Sequence, residues 1–543
     1  MTQTSSETMT SFLVRRGHVD DETVRRVVHH LCERVVDDHV AVDIRSVGAN
    51  DEEVGAESPA DVLEHLARYP NLVEFLGSSV EPTTSGPPVC VIDDRFLTFR
   101  RLAHAEWRVA RAVLASLEGP VEWPSGFRRP DDPELLAAAE RILTHRLSLV
   151  VGGPGTGKTT LVTRVLSALD RGSAPGAELS VLLVAPTGKA VVRLTEGVTA
   201  RADEEGWRAV RIDRSRSGSL HHVLGVTPES TRARHSVDAD IVVVDEASMA
   251  SLGLVSELVR SLSPTSRLVL IGDPHQLASV DEGSVLADLV SASPATDVLT
   301  TTLTRVHRTD SHGILSAAWA ILEGDVTSLR AVATSSPDVR LEDSVSPDLL
   351  HRVGQQALRV GHVALSGSPD DALRALRDLV VLCAHREGVG STRWWREQVG
   401  RYHRLDFPRI LGAPFSVGEP VIVTRTQRHL RVVNGDVGVI LPGRGQPQVY
   451  FGDGRTWPLA GVGHLESAWA LTIHKSQGSE YGEVVVSLGE REESALLSRE
   501  LVYTALTRAQ RSVTIVAEPS LLSSAVSRRV SRTSALAWRL GVR

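Results

Sequence analysis

The sequence predicts an α/β protein: two P-loop-type domains of parallel strands and helices, a small β-barrel inserted in the second, and a helical N-terminal domain. Three observations carry this. The apolar run Leu147–Val151 leads straight into Gly152-Gly153-Pro154-Gly155-Thr156-Gly157-Lys158-Thr159-Thr160, a glycine-rich phosphate loop with its helix following at Leu161. Short Val/Ile-rich runs alternate with helical segments beyond it, as buried parallel strands do. Between Gly418 and Val462 the pattern changes to short strands joined by Asn434-Gly435, Gly443–Gly445 and Asp453-Gly454 turns.

With 543 residues the chain is too long for one core, and length alone suggests roughly three to four domains. Residues 1–118 are expected to form a separate, mainly helical domain. Its helix-like segments are Asp21–Val40, Ala60–Gly77 and Arg100–Leu117, the last with Trp107, Val109 and Val113 on a buried face; Val89–Ile92 is its expected strand. A Pro/Gly-containing passage, Gly119–Pro133, marks the boundary. Residues 119–350 make the first α/β domain, with strands at Leu147–Val151, Val181–Ala185, Ile241–Val244 and Leu268–Ile271 and an unassigned polar insertion at 196–240. Residues 351–543 make the second, starting near Val380-Val381 and interrupted by the insertion at 418–462.

The formal net charge of −8 excludes a protein coated in basic groups, though not a local nucleic-acid groove. Three scattered cysteines, Cys32, Cys90 and Cys383, exclude an iron–sulfur cluster or a four-cysteine zinc site and fit a reducing compartment. No apolar stretch approaches a membrane span and the start has no signal-peptide core, so a soluble, cytoplasmic protein without membrane contact is expected.

A phosphate loop binds triphosphate through backbone N–H groups and a helix N-terminus, with Lys158 reaching the β- and γ-phosphates and Thr159 able to ligate Mg²⁺. Its partner is a second strand ending in acids: Ile241-Val-Val-Val leads to Asp245, suited to Mg²⁺, and Glu246, suited to polarise water. A further buried strand ends in Gly272-Asp273-Pro274-His275-Gln276, where Gln276 can sense a γ-phosphate. Arg308 and Arg508 stand in segments that suit them to stabilise charge building up in phosphoryl transfer. Thr472-Ile-His474-Lys475-Ser476-Gln477-Gly478-Ser479-Glu480 supplies donors for both nucleotide and phosphodiester.

In this order the segments GGPGTGKTT, Ala185-Pro186-Thr187-Gly188-Lys189-Ala190, VVVDEAS, IGDPHQLASV, the Arg308 segment, TIHKSQGSEY and VYTALTRA resemble the ordered motifs of superfamily 1 helicases. Their spelling is most similar to the RecD branch (superfamily 1B), the alpha subunits of exodeoxyribonuclease V. The motifs cover about residues 147–515, and Phe96–Leu117 is similar to that branch's N-terminal region. The resemblance implies two RecA-like P-loop domains with ATP in the cleft between them, and an SH3-like insertion at 418–462. It implies an ATP-dependent 5′→3′ DNA helicase acting in double-strand break repair, working beside RecB-like and RecC-like subunits, with residues 1–118 docked on the scaffold. Carried over by motif, Gly152–Thr160 and Glu480 hold nucleotide, and Thr159 and Asp245 the Mg²⁺. Glu246, Gln276, Arg308 and Arg508 are catalytic. Pro186, Thr187, Lys189, His221, Thr472 and His474 are candidates for single-stranded or duplex-end DNA.

The chain departs from the pattern in lacking a glutamine in Pro133–Glu140, which leaves selectivity for ATP over GTP open. A free-standing repair helicase of the same branch, an RNA helicase and a largely architectural subunit are the alternatives. The absence of a helix-hairpin-helix signature speaks against the first, and intact Lys158, Asp245, Glu246, Gln276 and Arg508 against the last. No nuclease motif is evident, so exonuclease activity would belong to the assembly. The His29-His30 and His221-His222 pairs lack the further ligands zinc needs. Of the adjacent Trp394 and Trp395, at least one is expected in the core rather than stacked on a base.

Overall fold

The computed structural model describes residues 3–46, 58–119, 121–227, 230–279, 281–304, 311–366, 368–407, 409–410, 412–443, 446–452, 454–490, 497–530 and 532–542. Its N-terminal region is mixed rather than helical. Strands β1 (Ala41–Asp43), β2 (Val73–Leu76), β3 (Val89–Ile92) and β4 (Phe96–Phe99) form one sheet in the order β1-β4-β3-β2. Strand β2 falls inside the stretch expected to be helix. That helix, Pro59–Ala67, stops because Pro70 restricts the residue before it to extended backbone. Strands of three or four residues are also too short to display alternation. In helix Arg100–Leu117, Val109 and Val113 are buried as expected, whereas Trp107 is part-exposed and donates from Nε1 to the Ser79 carbonyl at 3.2 Å.

The first large sheet comprises β5 (Leu147–Gly152), β6 (Leu179–Ala185), β7 (Val210–Ile212), β8 (Gly218–Ser219), β9 (Ile241–Val244), β10 (Arg267–Gly272) and β11 (Thr300–Leu303). The order is β11-β5-β10-β9-β6-β7, with β8 beside β6, and every pair is parallel. The polar stretch 196–240 completes helix Gly188–Glu205 and then adds β7, β8 and helix Leu220–Leu224. The N-terminal layer shares a core with this sheet: one apolar cluster runs from Val27 and Val109 through Leu147, Val242 and Leu270. The passage at 119–133 thus connects parts of one packed unit.

Strands β12 (Val339–Glu342) and β13 (Leu379–Cys383) begin the second large sheet. The chain then forms β14 (Pro420–Val423), β15 (Val437–Leu441), β16 (Gln448–Tyr450), β17 (Thr456–Pro458) and β18 (Leu465–Ser467) before returning with β19 (Ala470–Thr472), β20 (Tyr481–Ser487) and β21 (Ala509–Val516). The main sheet is parallel throughout, in the order β12-β21-β20-β13-β19. The inserted strands make an antiparallel sheet, β17-β16-β15-β14-β18. This insertion reaches Ser467, past the expected limit of 462, because β18 pairs with β14. Its ladders leave β17 and β18 as two edges, so among the described residues it is an open sheet and not a closed barrel. The second unit also starts earlier than residue 351. Ile314, Ala317 and Ile321 of helix His312–Glu323 pack with Val339, Val484 and Val513. A helix's periodicity does not say which of two sheets it will cover.

The C-terminal residues 532–542 cross back to the N-terminal layer. Arg539 and Glu106 are fully buried there with Nε and Oε2 3.8 Å apart. Ser534 Oγ and the Ala535 N–H donate to Glu106 Oε1 at 3.0 and 2.7 Å, and Arg539 Nη1 donates to the Ser78 carbonyl at 2.6 Å. Removing one member of a buried pair strands the other charge, at a cost of about 3–5 kcal/mol. Glu106→Ala is therefore expected to lower stability by about that amount in a denaturation measurement, and Glu106→Leu/Arg539→Leu together by clearly less.

Candidate functional site

A parallel sheet delivers the C-terminal end of every strand to one edge, where ligands of such folds bind. Strands β5, β10 and β9 are neighbours, so Gly152, Asp273 and Asp245 meet there. Gly157 caps helix Lys158–Arg171 with φ at +83°, a backbone glycine adopts at little cost. A Cβ at Gly152 would lie 2.5 Å from the Leu303 carbonyl oxygen and 2.7 Å from Thr156 Oγ1. Only glycine lets the loop and β11 approach this closely. The loop and helix N-terminus together form an anion cradle. Lys158 Nζ donates to the carbonyls of Gly152 and Gly153 at 2.8 and 2.9 Å. Burial lowers its pKa, against the opposing pull of Asp273, Glu246 and Asp245.

Thr159 Oγ1 donates to Asp245 Oδ2 at 2.9 Å, and Asp245 Oδ1 accepts from the Glu246 N–H at 2.8 Å. Glu246 stands in left-handed backbone, φ +53°, two residues beyond the end of β9. Its carboxyl pKa is raised, first by burial and then by the charge of Asp245, which makes it a better proton acceptor than a surface glutamate. The converging Thr159 hydroxyl and Asp245 carboxylate are hard oxygen donors that fit Mg²⁺. Among the described residues no group of three His, Cys, Asp or Glu side chains could hold a cation alone. The pair thus suits an ion that shares its ligands with phosphate and water.

The second unit closes the site. Buried Arg508 donates from Nη2 to Gln276 Oε1 at 2.8 Å and from Nε to the Thr504 carbonyl at 3.1 Å. Gln276 Nε2 and Tyr503 OH both donate to Asp273 Oδ2, at 3.1 and 3.0 Å. The Leu277 N–H donates to Thr504 Oγ1 at 3.0 Å. Arg508, Gln276, Asp273 and Tyr503 thus form a chain of bonds crossing between the units twice. Glu480 pairs with Arg193 Nη2 at 3.0 Å and accepts from Gln510 Nε2 at 3.2 Å. Lys158, Thr159, Thr160, Arg193, Asp245, Glu246, Gln276, Glu480 and Arg508 line one cleft of about 510 Å³. Beside it, past Pro154 and Gly155, an apolar chamber of about 220 Å³ is walled by Leu303, Ile314, Ala318, Trp319 and Leu322.

The structure therefore brings together every expected nucleotide-side residue except Arg308, which lies outside the described residues. The DNA candidates are less uniform. Thr187 caps helix Gly188–Glu205 by accepting from the Ala190 N–H at 3.3 Å, and Thr472 is buried and accepts from the Lys475 N–H at 3.3 Å. Lys189 Nζ turns to Ser479 Oγ at 2.6 Å, and burial together with Arg377 and Arg193 lowers its pKa to about 8. His221 is exposed, while burial lowers the pKa of His474. Pro186 is part-exposed just before Thr187. A Cβ on Gly188 would meet Val433 at 3.2 Å, so the inserted sheet abuts this turn. Trp395 is fully buried, with Trp394 packed edge-on against it. Sequence reasoning gave no role to Asp273, Tyr503 and Trp319. A buried acid two residues before His275 and three before Gln276 was a visible sign that the glutamine needs orienting; the other two carried no local signal.

A family model described as an AAA domain matches residues 132–341, and one described as a UvrD-like helicase C-terminal domain matches residues 467–516. A RecBCD enzyme subunit RecD from Mycobacterium tuberculosis strain H37Rv is 36% identical over 536 residues, covering 92% of this chain and 90% of the relative. One from Mycolicibacterium smegmatis is 36% identical over 518 residues, with the same two shares, 92% and 90%. The ATP-dependent RecD2 DNA helicase of Deinococcus radiodurans is 32% identical over 439 residues, 78% of this chain and 54% of the relative.

Each buried donor left without an acceptor costs about 1–3 kcal/mol. Asp273→Ala strands Gln276 Nε2 and the Tyr503 hydroxyl, so thermal denaturation is expected to register a loss of a few kcal/mol. Tyr503→Phe, which removes a single bond, is expected to cost about 1 kcal/mol.

Proposed function

The chain belongs to the RecD family of RecBCD enzyme subunits, and from that premise we propose that it is the ATP-dependent DNA helicase subunit of a RecBCD-type helicase–nuclease. In this reading it works with RecB-like and RecC-like partners in double-strand break repair by homologous recombination. Exonuclease activity belongs to the assembly. The observation that carries the reading is the 2.8 Å bond from Arg508 to Gln276, because it sets a cation of one unit beside the phosphate loop of the other. A motor needs that arrangement, since hydrolysis must change the contact between two domains.

ATP lies along Gly152–Thr160, with its phosphates on the loop N–H groups. Lys158 exchanges the Gly152 and Gly153 carbonyls for the β- and γ-phosphates. Thr159 and Asp245 hold Mg²⁺, which when bound neutralises phosphate charge. Glu246 accepts the proton of the attacking water. Arg508, and Arg308 from the segment outside the described residues, stabilise the charge that grows on the γ-phosphate. Gln276 shares Arg508 with that phosphate, so loss of the phosphate returns the arginine to the glutamine and the cleft opens. The base takes the apolar chamber, stacked on Trp319. Glu480 faces the ribose. Pro186, Thr187, Lys189 and His221 of the first unit, with Thr472 and His474 of the second, grip single-stranded DNA alternately. The 5′→3′ direction follows from the family resemblance. Residues 1–118 dock on the RecC-like scaffold through surface left free by their shared core. No helix among the described residues is long and apolar enough to cross a membrane, in keeping with a cytoplasmic DNA-processing subunit.

The purified chain is expected to unwind a duplex bearing a 5′ single-stranded tail, and Lys158→Ala to abolish this; unwinding from a 3′ tail instead would overturn the polarity. Loss of Arg508 as Ala should reduce kcat on the order of 10³-fold with nucleotide affinity largely kept. Because Glu246 must be ionised to accept a proton and its pKa is raised, turnover falls as pH drops through that raised value. The acid limb of kcat should therefore lie above 4.5, the ordinary glutamate value. Trp319→Ala should raise KM for ATP and GTP alike, by roughly fivefold, since stacking is worth about 1 kcal/mol and reads no base edge.

A further inference from the structure

Helix Gly188–Glu205 presents two cations, one turn apart, to a single loop of the other unit. Lys189 Nζ donates to Ser479 Oγ at 2.6 Å; Arg193 Nη1 donates to the Gly478 carbonyl at 3.2 Å, and Nη2 pairs with Glu480 Oε1 at 3.0 Å. Gly478, at φ +71°, lets the loop lie against the helix, where its Cβ would sit 3.9 Å from that of Ala190. The next bond runs from Arg508 Nη1 to the Ser479 carbonyl at 3.4 Å, and Arg508 holds Gln276. The helix thus has its first turn, Thr187 to Lys189, at the proposed DNA surface, and its second turn on the nucleotide cleft.

We infer that Arg193 is a positioning residue through which bound nucleotide and bound single-stranded DNA sense each other. The inference rests on the helicase reading above. A guanidinium suits this position because two separate nitrogens of its planar fork reach the Gly478 carbonyl and the Glu480 carboxylate, whereas an ammonium would have to serve both from a single nitrogen. The pair is partly open, with Arg193 44% exposed and Glu480 15%. Such pairs contribute little to holding a fold. They are suited to being exchanged within a cycle. Nucleotide that engages Glu480 competes with Arg193 for the same carboxylate. The guanidinium then shifts against Gly478, and with it the helix whose first turn faces DNA. By linkage the effect is reciprocal, so DNA that moves the helix alters the hold on nucleotide.

The test is the equilibrium affinity of the full chain for a fluorescent oligothymidylate, measured with and without a saturating non-hydrolysable ATP analogue and Mg²⁺. For the wild type the two dissociation constants should differ, by about tenfold within the usual 5–150-fold range of allosteric coupling. In Arg193→Ala the ratio should collapse toward one while each ligand still binds alone, and Arg193→Lys should give an intermediate ratio. An unchanged ratio in Arg193→Ala overturns the inference. So does outright loss of nucleotide or DNA binding in that variant, which would make Arg193 a direct ligand. A wild-type ratio of one, with both ligands bound, overturns the coupling alone. A wild type that binds neither ligand overturns the helicase reading instead.

Discussion

A carboxylate taken out of water has to be met by donors, and the demands of Asp273 organise the contact between the two units. It stands at the end of β10, buried, and accepts from Gln276 of its own unit and from Tyr503 of the other. Gln276 is thereby turned so that its oxygen faces Arg508. Directional bonds from fixed backbone positions join the two units here, beside Leu277, which enters the apolar core of the second unit. Directional contacts of this kind have discrete arrangements, and for that reason they can switch.

The remaining charges follow the same logic. The chain as a whole is acidic, at −8. Yet Lys158, Arg193 and Arg508 converge with Asp245, Glu246, Asp273 and Glu480 in one cleft. Each acid is held beside a base, and none of the bases points to bulk water alone. Burial acts in opposite directions on the two signs, lowering the pKa of Lys158 and raising that of Glu246.

The N-terminal layer and the C-terminal crossing both pack onto the first unit. Helix Arg100–Leu117 packs into the same core as β5, β9 and β10, and the last residues of the chain seal that layer through Glu106 and Arg539. Arg532 adds bonds to the carbonyls of Ser279, Asp281 and Gly283, directly after the Gln276 strand exit. The chain therefore runs from the second unit back to the loop that follows Gln276.

Local chemistry was legible in the sequence wherever the backbone alone dictates it. The phosphate loop, the strand ending in Asp245-Glu246 and the strand ending in Asp273 to Gln276 each combine a buried parallel strand with polar residues at its exit. Position along such a strand determines position in space. Lys158, Thr159, Asp245, Glu246, Gln276, Glu480 and Arg508 accordingly line one cleft, with Gly152, Gly153 and Thr156 on the adjoining chamber. What the tertiary structure decided is everything that depends on partners distant in sequence. Helix His312–Glu323 belongs to the second sheet, β18 extends the insertion to Ser467, and the insertion is an open sheet. Lys189 and Thr472 each make a bond to protein, and Arg193 lines the cleft beside the phosphate loop. Periodicity records that a face is buried and a motif records which groups a strand will present. Neither records what arrives from three hundred residues away, because that choice is made by packing and by the need of each buried polar atom for a partner.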